Sequence, residues 1–154
     1  MSGEKNITSF VKGLYNTIQK VGINKVINKL NELNMPGFSE YENEIKNYII
    51  INTLKHYGYL LSDVRKPNIR GQKVEARTMC FIQLKKHLNL SHSQIAMIFN
   101  RTNHSIVSNS LNQFNKMNIN HKHDKLFLEN YSKINNDIKI YIKTLLNEQT
   151  ENKQ

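Results

Sequence analysis

The stretch Ile95–Phe114, IAMIFNRTNHSIVSNSLNQF, decides how this chain is read. Two short apolar-patterned segments meet at Asn100-Arg101-Thr102, and an Asn-His-Ser triplet opens the second. Just upstream, Ser91-His92-Ser93-Gln94 has the form of a capping box, a hydroxyl N-cap with glutamine three residues on, which starts a helix carrying Ile95, Ile98 and Phe99 on one face. Downstream, Thr102 or Asn103 can cap a further helix whose Val107, Leu111 and Phe114 share a side. Spacings of three and four residues are those of helices, not the alternation of strands.

If a helix over 91–99 and a helix over 103–116 pack across the turn 100–102, they form a helix-turn-helix, whose second helix enters a DNA major groove N-terminus first. Ala96 then permits a close crossing, and Ile95, Phe99, Val107 and Leu111 make the shared core. His104, Ser105, Ser108, Asn109 and Asn112 face outward. These side chains are short and hydrogen-bonding, which suits contact with base edges. Spacing alone fits an ordinary helical hairpin with a polar surface equally well. Catalysis is the weakest reading of Asn103-His104-Ser105, because neighbours on a helix splay by about 100° per residue and no third group is placed to orient a base.

The remaining chain also reads as all-α, with Gly and Pro falling between segments. Phe10, Leu14, Ile18 and Val21 mark a first short helix, Gly22 interrupts, and Ile23, Val26, Ile27, Leu30 and Leu33 mark a second that Met35-Pro36-Gly37 ends. Ile50, Ile51, Leu54 and Tyr57 form a third stripe, stopping at Gly58. Ser62 is positioned to cap a short turn of helix. RKPNIRG, residues 65–71, reads as a basic arm, and helix returns over 74–88 with Met79, Phe81, Ile82 and Leu88 to bury. Phe127, Tyr131, Ile134, Ile138, Tyr141 and Leu145 form a heptad-like seam that can pack within the chain or between chains. The expected organisation is a helical pair at 1–37, a helix-turn-helix domain at 44–117 and a C-terminal amphipathic helix at 124–148.

Charge points the same way. Of the net +10, residues 61–126 carry +8, with eleven Lys or Arg against three Asp or Glu. A polyanion is the natural partner of such a segment, and nucleic acid is the commonest. The single cysteine, Cys80, excludes a disulfide within the chain and suggests a reducing compartment. No phosphate-cradling glycine motif is present, so no nucleotide site is expected, and His121-Lys122-His123-Asp124 lacks a second cluster at zinc spacing. No window is apolar enough to span a bilayer. The expectation is a soluble cytoplasmic protein with no cofactor, no metal and no enzymatic activity.

Residues 49–114 resemble the C-terminal DNA-binding domain of the bacterial replication initiator DnaA, a Trp-repressor-like helix-turn-helix. The likeness rests on IINTLKHYGYLLSDVRK, EARTMCFIQLKKHL, LSHSQIAMIF and RTNHSIV, in that order. It implies that His104 stands at the family's base-reading histidine, Ser105 at a base-contacting threonine and Asn103 at the aspartate before it; Ser108 and Asn109 follow on the outward face that helical spacing gives. It implies a phosphate contact for Arg77, beside Thr78 where the family usually has glutamine. Arg70 lies close to the arginine that the family inserts in the minor groove, a role Arg65 or Lys66 could also fill, with Lys73 beside the arm. Thr102 stands where the family has arginine, Asn100 and Arg101 where it has turn glycines, and Ile106 where it has a polar residue. Ile106 can touch a thymine methyl instead.

The expected function is that of a sequence-specific double-stranded DNA-binding protein, a transcriptional regulator or replication accessory factor of the bacterial nucleoid, or of a phage-infected host if phage or mobile-element encoded. A homo-oligomer through the terminal helices is compatible with this. The alternatives are an oligomeric assembly or DNA-packaging subunit that docks through the same element, and a structured-RNA binder.

Overall fold

Helix and its connections make up all of the described residues; no strand occurs among them. The computed structural model describes residues 39–153 and, ahead of them, residues 9, 11–13, 15, 16, 19, 20 and 22. Two units divide the chain, Met1–Tyr41 and Glu42–Gln154. In the first, the described residues from 9 to 20 are helical and Gly22 stands outside helix at φ 86°. Most of the helical pair expected at 1–37, including its whole second helix, lies outside the described residues.

Six helices follow: α1 Glu40–Tyr57, α2 Leu61–Arg65, α3 Gln72–Leu88, α4 His92–Ile98, α5 Ser105–Lys116 and α6 Lys122–Glu151. Their ends show how local sequence sets the boundaries. α1 stops where Gly58 turns left-handed (φ 76°): its N–H donates to the Lys55 carbonyl (3.1 Å), and the Tyr59 N–H reaches the Leu54 carbonyl (2.9 Å). That pair of bonds satisfies carbonyls a helix end otherwise leaves open. α4 ends in the same way on Asn100 (φ 55°), with Asn100 N–H to Met97 (3.0 Å) and Arg101 N–H to Ala96 (2.9 Å). Asparagine, next to glycine, tolerates this conformation best. α4 starts with the predicted capping box, Ser91 Oγ accepting from the Gln94 N–H (3.1 Å) and Gln94 Oε1 from the Ser91 N–H (2.8 Å). Ser62, by contrast, does not cap α2. It lies inside the helix, and Asp63 Oδ2 instead accepts the Leu60 N–H (2.9 Å).

α3 is the central element. Ala76, Met79, Cys80, Phe81, Ile82 and Leu84 are all buried, as in a helix enclosed on every side. Phe81 meets Phe99 edge-on with ring centres 5.0 Å apart, and Ile95, Ala96 and Val107 close the same core. Cys80 is completely enclosed, and burial pushes its thiol far up from the ordinary range. α1 contributes Ile45, Ile49, Ile50, Thr53 and Leu54. Ile51, expected in that stripe, is 66% exposed, because it sits about 100° round the helix from Ile50.

The α6 seam closes within the chain. Phe127, Ile134, Ile138 and Leu145 are buried, and Tyr141 stacks on Tyr48 of α1 (3.6 Å, 5° between planes) while its hydroxyl donates to Glu44 (3.0 Å). Phe114 of α5 packs on Tyr131 and Phe127, and His87 of α3 shares a 3.0 Å hydrogen bond with Asn135. α6 therefore belongs to the same unit as α2–α5.

Candidate nucleic-acid interface

The leading end of α5 is set by the connection before it. Asn103 Oδ1 accepts the Ser105 N–H (2.8 Å) in a turn just ahead of the helix, but neither Thr102 nor Asn103, the two caps the sequence allowed, takes the N-cap position. Helix begins at Ser105 rather than 103, and the break spans 99–104 instead of three residues. His104 occupies the N-cap position; its side chain is exposed and its carbonyl accepts the Val107 and Ser108 N–H groups (3.0 and 3.1 Å). No acidic residue occupies the first turn, which leaves the positive end of the helix dipole uncompensated.

The outward residues differ in how free they are. Thr102, Asn103, His104, Ser105 and Asn109 are exposed, as is Asn112 a turn further on. Ser108 is half-buried and already engaged, its Oγ 2.7 Å from His92 Nδ1 and 3.4 Å from the His104 carbonyl. Ile106 is half-buried and lines a shallow concavity of about 340 Å³ with Asn100, Arg101, Thr102 and Asn103. His92 was not singled out by sequence; its partner lies 16 positions away and no periodicity marks the pair.

The cations fall into three groups. Arg70 is exposed near the end of the 66–71 loop, and Lys66 is exposed with a long 3.9 Å ion pair to Asp63. Lys73 is half-buried with its ammonium 5.8 Å from the Tyr59 ring centre, and Thr78 is half-buried one turn on. Arg65 and Arg101 are spent partly on the scaffold: Arg65 Nε donates to the Ile98 carbonyl (2.9 Å), the last of α4, and Arg101 Nη2 to the Lys66 carbonyl (2.8 Å). These crossed bonds fasten the basic loop to the turn ahead of α5.

Arg77 is the outlier. It is only 6% exposed, lies over the Phe81 ring, and makes no hydrogen bond or ion pair among the described residues; the Nε atoms of Arg77 and Arg101 are both buried without a partner. Burial, and then the positive charge of Arg101, lower the Arg77 pKa from its ordinary value. Two neighbouring guanidinium groups with unspent donors are arranged to favour an anion.

His121 and Asp124, considered above as metal ligands, instead pair across 3.5 Å at the start of α6, and Asp124 also accepts the Asn118 N–H (3.0 Å). Among the described residues no helix is long and apolar enough to cross a membrane. No protein-family model, curated protein or solved structure significantly matches the chain.

Proposed function

We propose that this protein is a non-enzymatic, sequence-specific binder of double-stranded DNA, acting as a transcriptional regulator or replication accessory factor through a helix-turn-helix of the DnaA C-terminal type. The observation that carries the reading is the composition of one end of the molecule. Exposed Asn103, His104, Ser105 and Asn109, all short hydrogen-bonding groups, stand at the start of α5; the turn before it carries Arg101, which is tied to Lys66 and lies near Arg77, while Arg65 and Arg70 flank the same basic loop. α4 and α5 pack on each other and on α3, contacts that a helix-turn-helix requires.

In this mechanism the cations neutralise phosphates and fix the register, while the α5 tip offers donors and acceptors to base edges in the major groove. His104 reads a base directly. Asn103 has its side-chain carbonyl occupied by the Ser105 N–H, which leaves its amide N–H groups for a ligand. Ser108 serves through His92, which holds its hydroxyl in place. Arg70 reaches the minor groove from the loop.

Selection of bound sites from a random duplex pool supplies the target, and the decisive measurement then compares target with random DNA at fixed salt. His104→Ala is expected to weaken target binding by about 1 to 3 kcal/mol with little change on random DNA, and Arg77→Ala to weaken both. An unchanged target-to-random ratio in His104→Ala removes the assigned reading helix. Equal displacement by A-form RNA duplex turns the reading into one of shape recognition.

A further inference from the structure

The outer face of α6 is built as a second cationic surface. At about 100° per residue, the seam Phe127, Ile134, Ile138, Tyr141 and Leu145 points to one side and Lys122, Lys125, Lys133 and Lys143 point to the other, with Lys139 on the flank nearer His87 of α3. All five lysines are exposed, and among the described residues none of their ammonium groups is engaged in an ion pair or hydrogen bond. Within the row Glu129 and the exposed Ile140 interrupt; Asp124 is turned to His121 and the Asn118 N–H, and Asp137 lies on the flank. Ser132 and Asn136 fill positions between the lysines.

Shape narrows the partner. Along the helix axis the lysines extend, at about 1.5 Å per residue, over roughly 32 Å, close to one turn of a B-form duplex at about 34 Å. The row offers point charges spaced along a helix, which suits a stiff, regularly charged rod. An anionic membrane fits less well: of the exposed apolar residues, Leu126 and Ile140 share a side of α6 but stand roughly 21 Å apart along it, and Leu146 lies about 120° round from Ile140, so they do not form the continuous apolar strip an interfacial helix needs.

Position adds a consequence. On α3, Phe81 faces Phe99 at the end of α4, while Gln83, two residues on and so about 200° round, donates to the Tyr131 carbonyl of α6 (3.5 Å). The end of α4 and α6 thus lie on opposite flanks of α3. We propose that the lysine row of α6 is a second, sequence-independent duplex-binding face, so that one chain holds two DNA segments. Bridging rests on the reading of α5 as the first face; the α6 contact itself does not.

The test uses the full chain, one duplex immobilised on beads and a second, differently labelled duplex in solution. The comparison is Lys125→Gln/Lys133→Gln/Lys139→Gln/Lys143→Gln, in which glutamine preserves helix propensity; circular dichroism and Tm verify its fold. Wild type is expected to carry the second duplex onto the beads. The variant is expected to occupy the immobilised target nearly as well but to recover at least about tenfold less of the second duplex, with a salt slope for that step smaller by about 3 to 4. Wild type that binds one duplex without bridging overturns the α6 proposal alone, as does a variant that bridges like wild type. Wild type that binds no duplex at all overturns both readings. Displacement of the second duplex by vesicles containing phosphatidylserine, with wild type but not variant floating with them, reassigns the face to a membrane and overturns the proposal.

Discussion

Arg101 Nη2 donates to the Lys66 carbonyl across 2.8 Å, while Arg65, the residue before Lys66, donates its Nε to the Ile98 carbonyl across 2.9 Å. The two bonds run in opposite directions between the same two stretches, so the basic loop and the turn ahead of α5 move as one. Arg65→Ala and Arg101→Ala are each expected to cost about 1 kcal/mol in urea unfolding, and the double variant less than the sum. Lysine should not rescue either position, since its point charge cannot reproduce the fork of donors. Strict additivity in the cycle would show the ties to be independent.

The turn itself depends on a left-handed residue. Asn100 at φ 55° has no steric freedom to accept an ordinary side chain, so Asn100→Ala is expected to destabilise by about 1 kcal/mol. Asn100→Gly should be within about 0.5 kcal/mol of wild type, because only the φ requirement is at stake. Chemical denaturation of the three proteins decides the matter; equal losses for Ala and Gly would assign the cost to the Asn side chain.

How much of this was readable in advance follows from the range of each interaction. Helix, the Ser91–Gln94 capping box and the α6 seam were legible because their signals repeat within a few residues. The Asn100 turn was half legible: a break was evident, but a left-handed φ leaves no mark on composition. The crossed arginine ties join partners 33 and 35 positions apart, and nothing in the spacing of Arg65 or Arg101 distinguishes a scaffold bond from a phosphate contact. Arg77 shows the same limit, since its cationic character is plain in sequence and its near-complete burial is not. Ile51 was misplaced because two adjacent isoleucines can both begin an apolar stripe, and only the packing of α1 selects Ile50.

Closure of α6 on its own chain has a measurable signature. Ile138 is fully buried, so Ile138→Ala is expected to cost about 2 to 5 kcal/mol, and Tyr141→Ala about 1 kcal/mol through loss of the Tyr48 stack. Both losses should be independent of protein concentration. A Tm that rises with concentration in wild type and not in Ile138→Ala would assign the seam to an interface between chains.

His87 sets an acid-side dependence. Burial, reinforced by Lys86 and Lys139, lowers its pKa below the ordinary 6.5, against the raising effect of Asn135. The folded state therefore takes up its proton less readily than the unfolded chain, and stability present above about pH 6.5 is lost as pH falls through the folded pKa. A Tm series from neutral to mildly acidic pH is expected to fall less steeply in His87→Gln than in wild type. Parallel slopes would exclude His87 as the cause.

Cys80 gives the molecule a built-in clock. Enclosed at the centre of α3 and held as the neutral thiol, the chain's one sulfhydryl is silent toward thiol reagents in the closed state. Its labelling rate in excess reagent accordingly counts excursions in which α3 parts from its neighbours, rather than surface fluctuations. A duplex gripped at the N-terminal end of α3 would suppress those excursions, so slowed modification of a single buried sulfur reports occupancy of a surface it never touches.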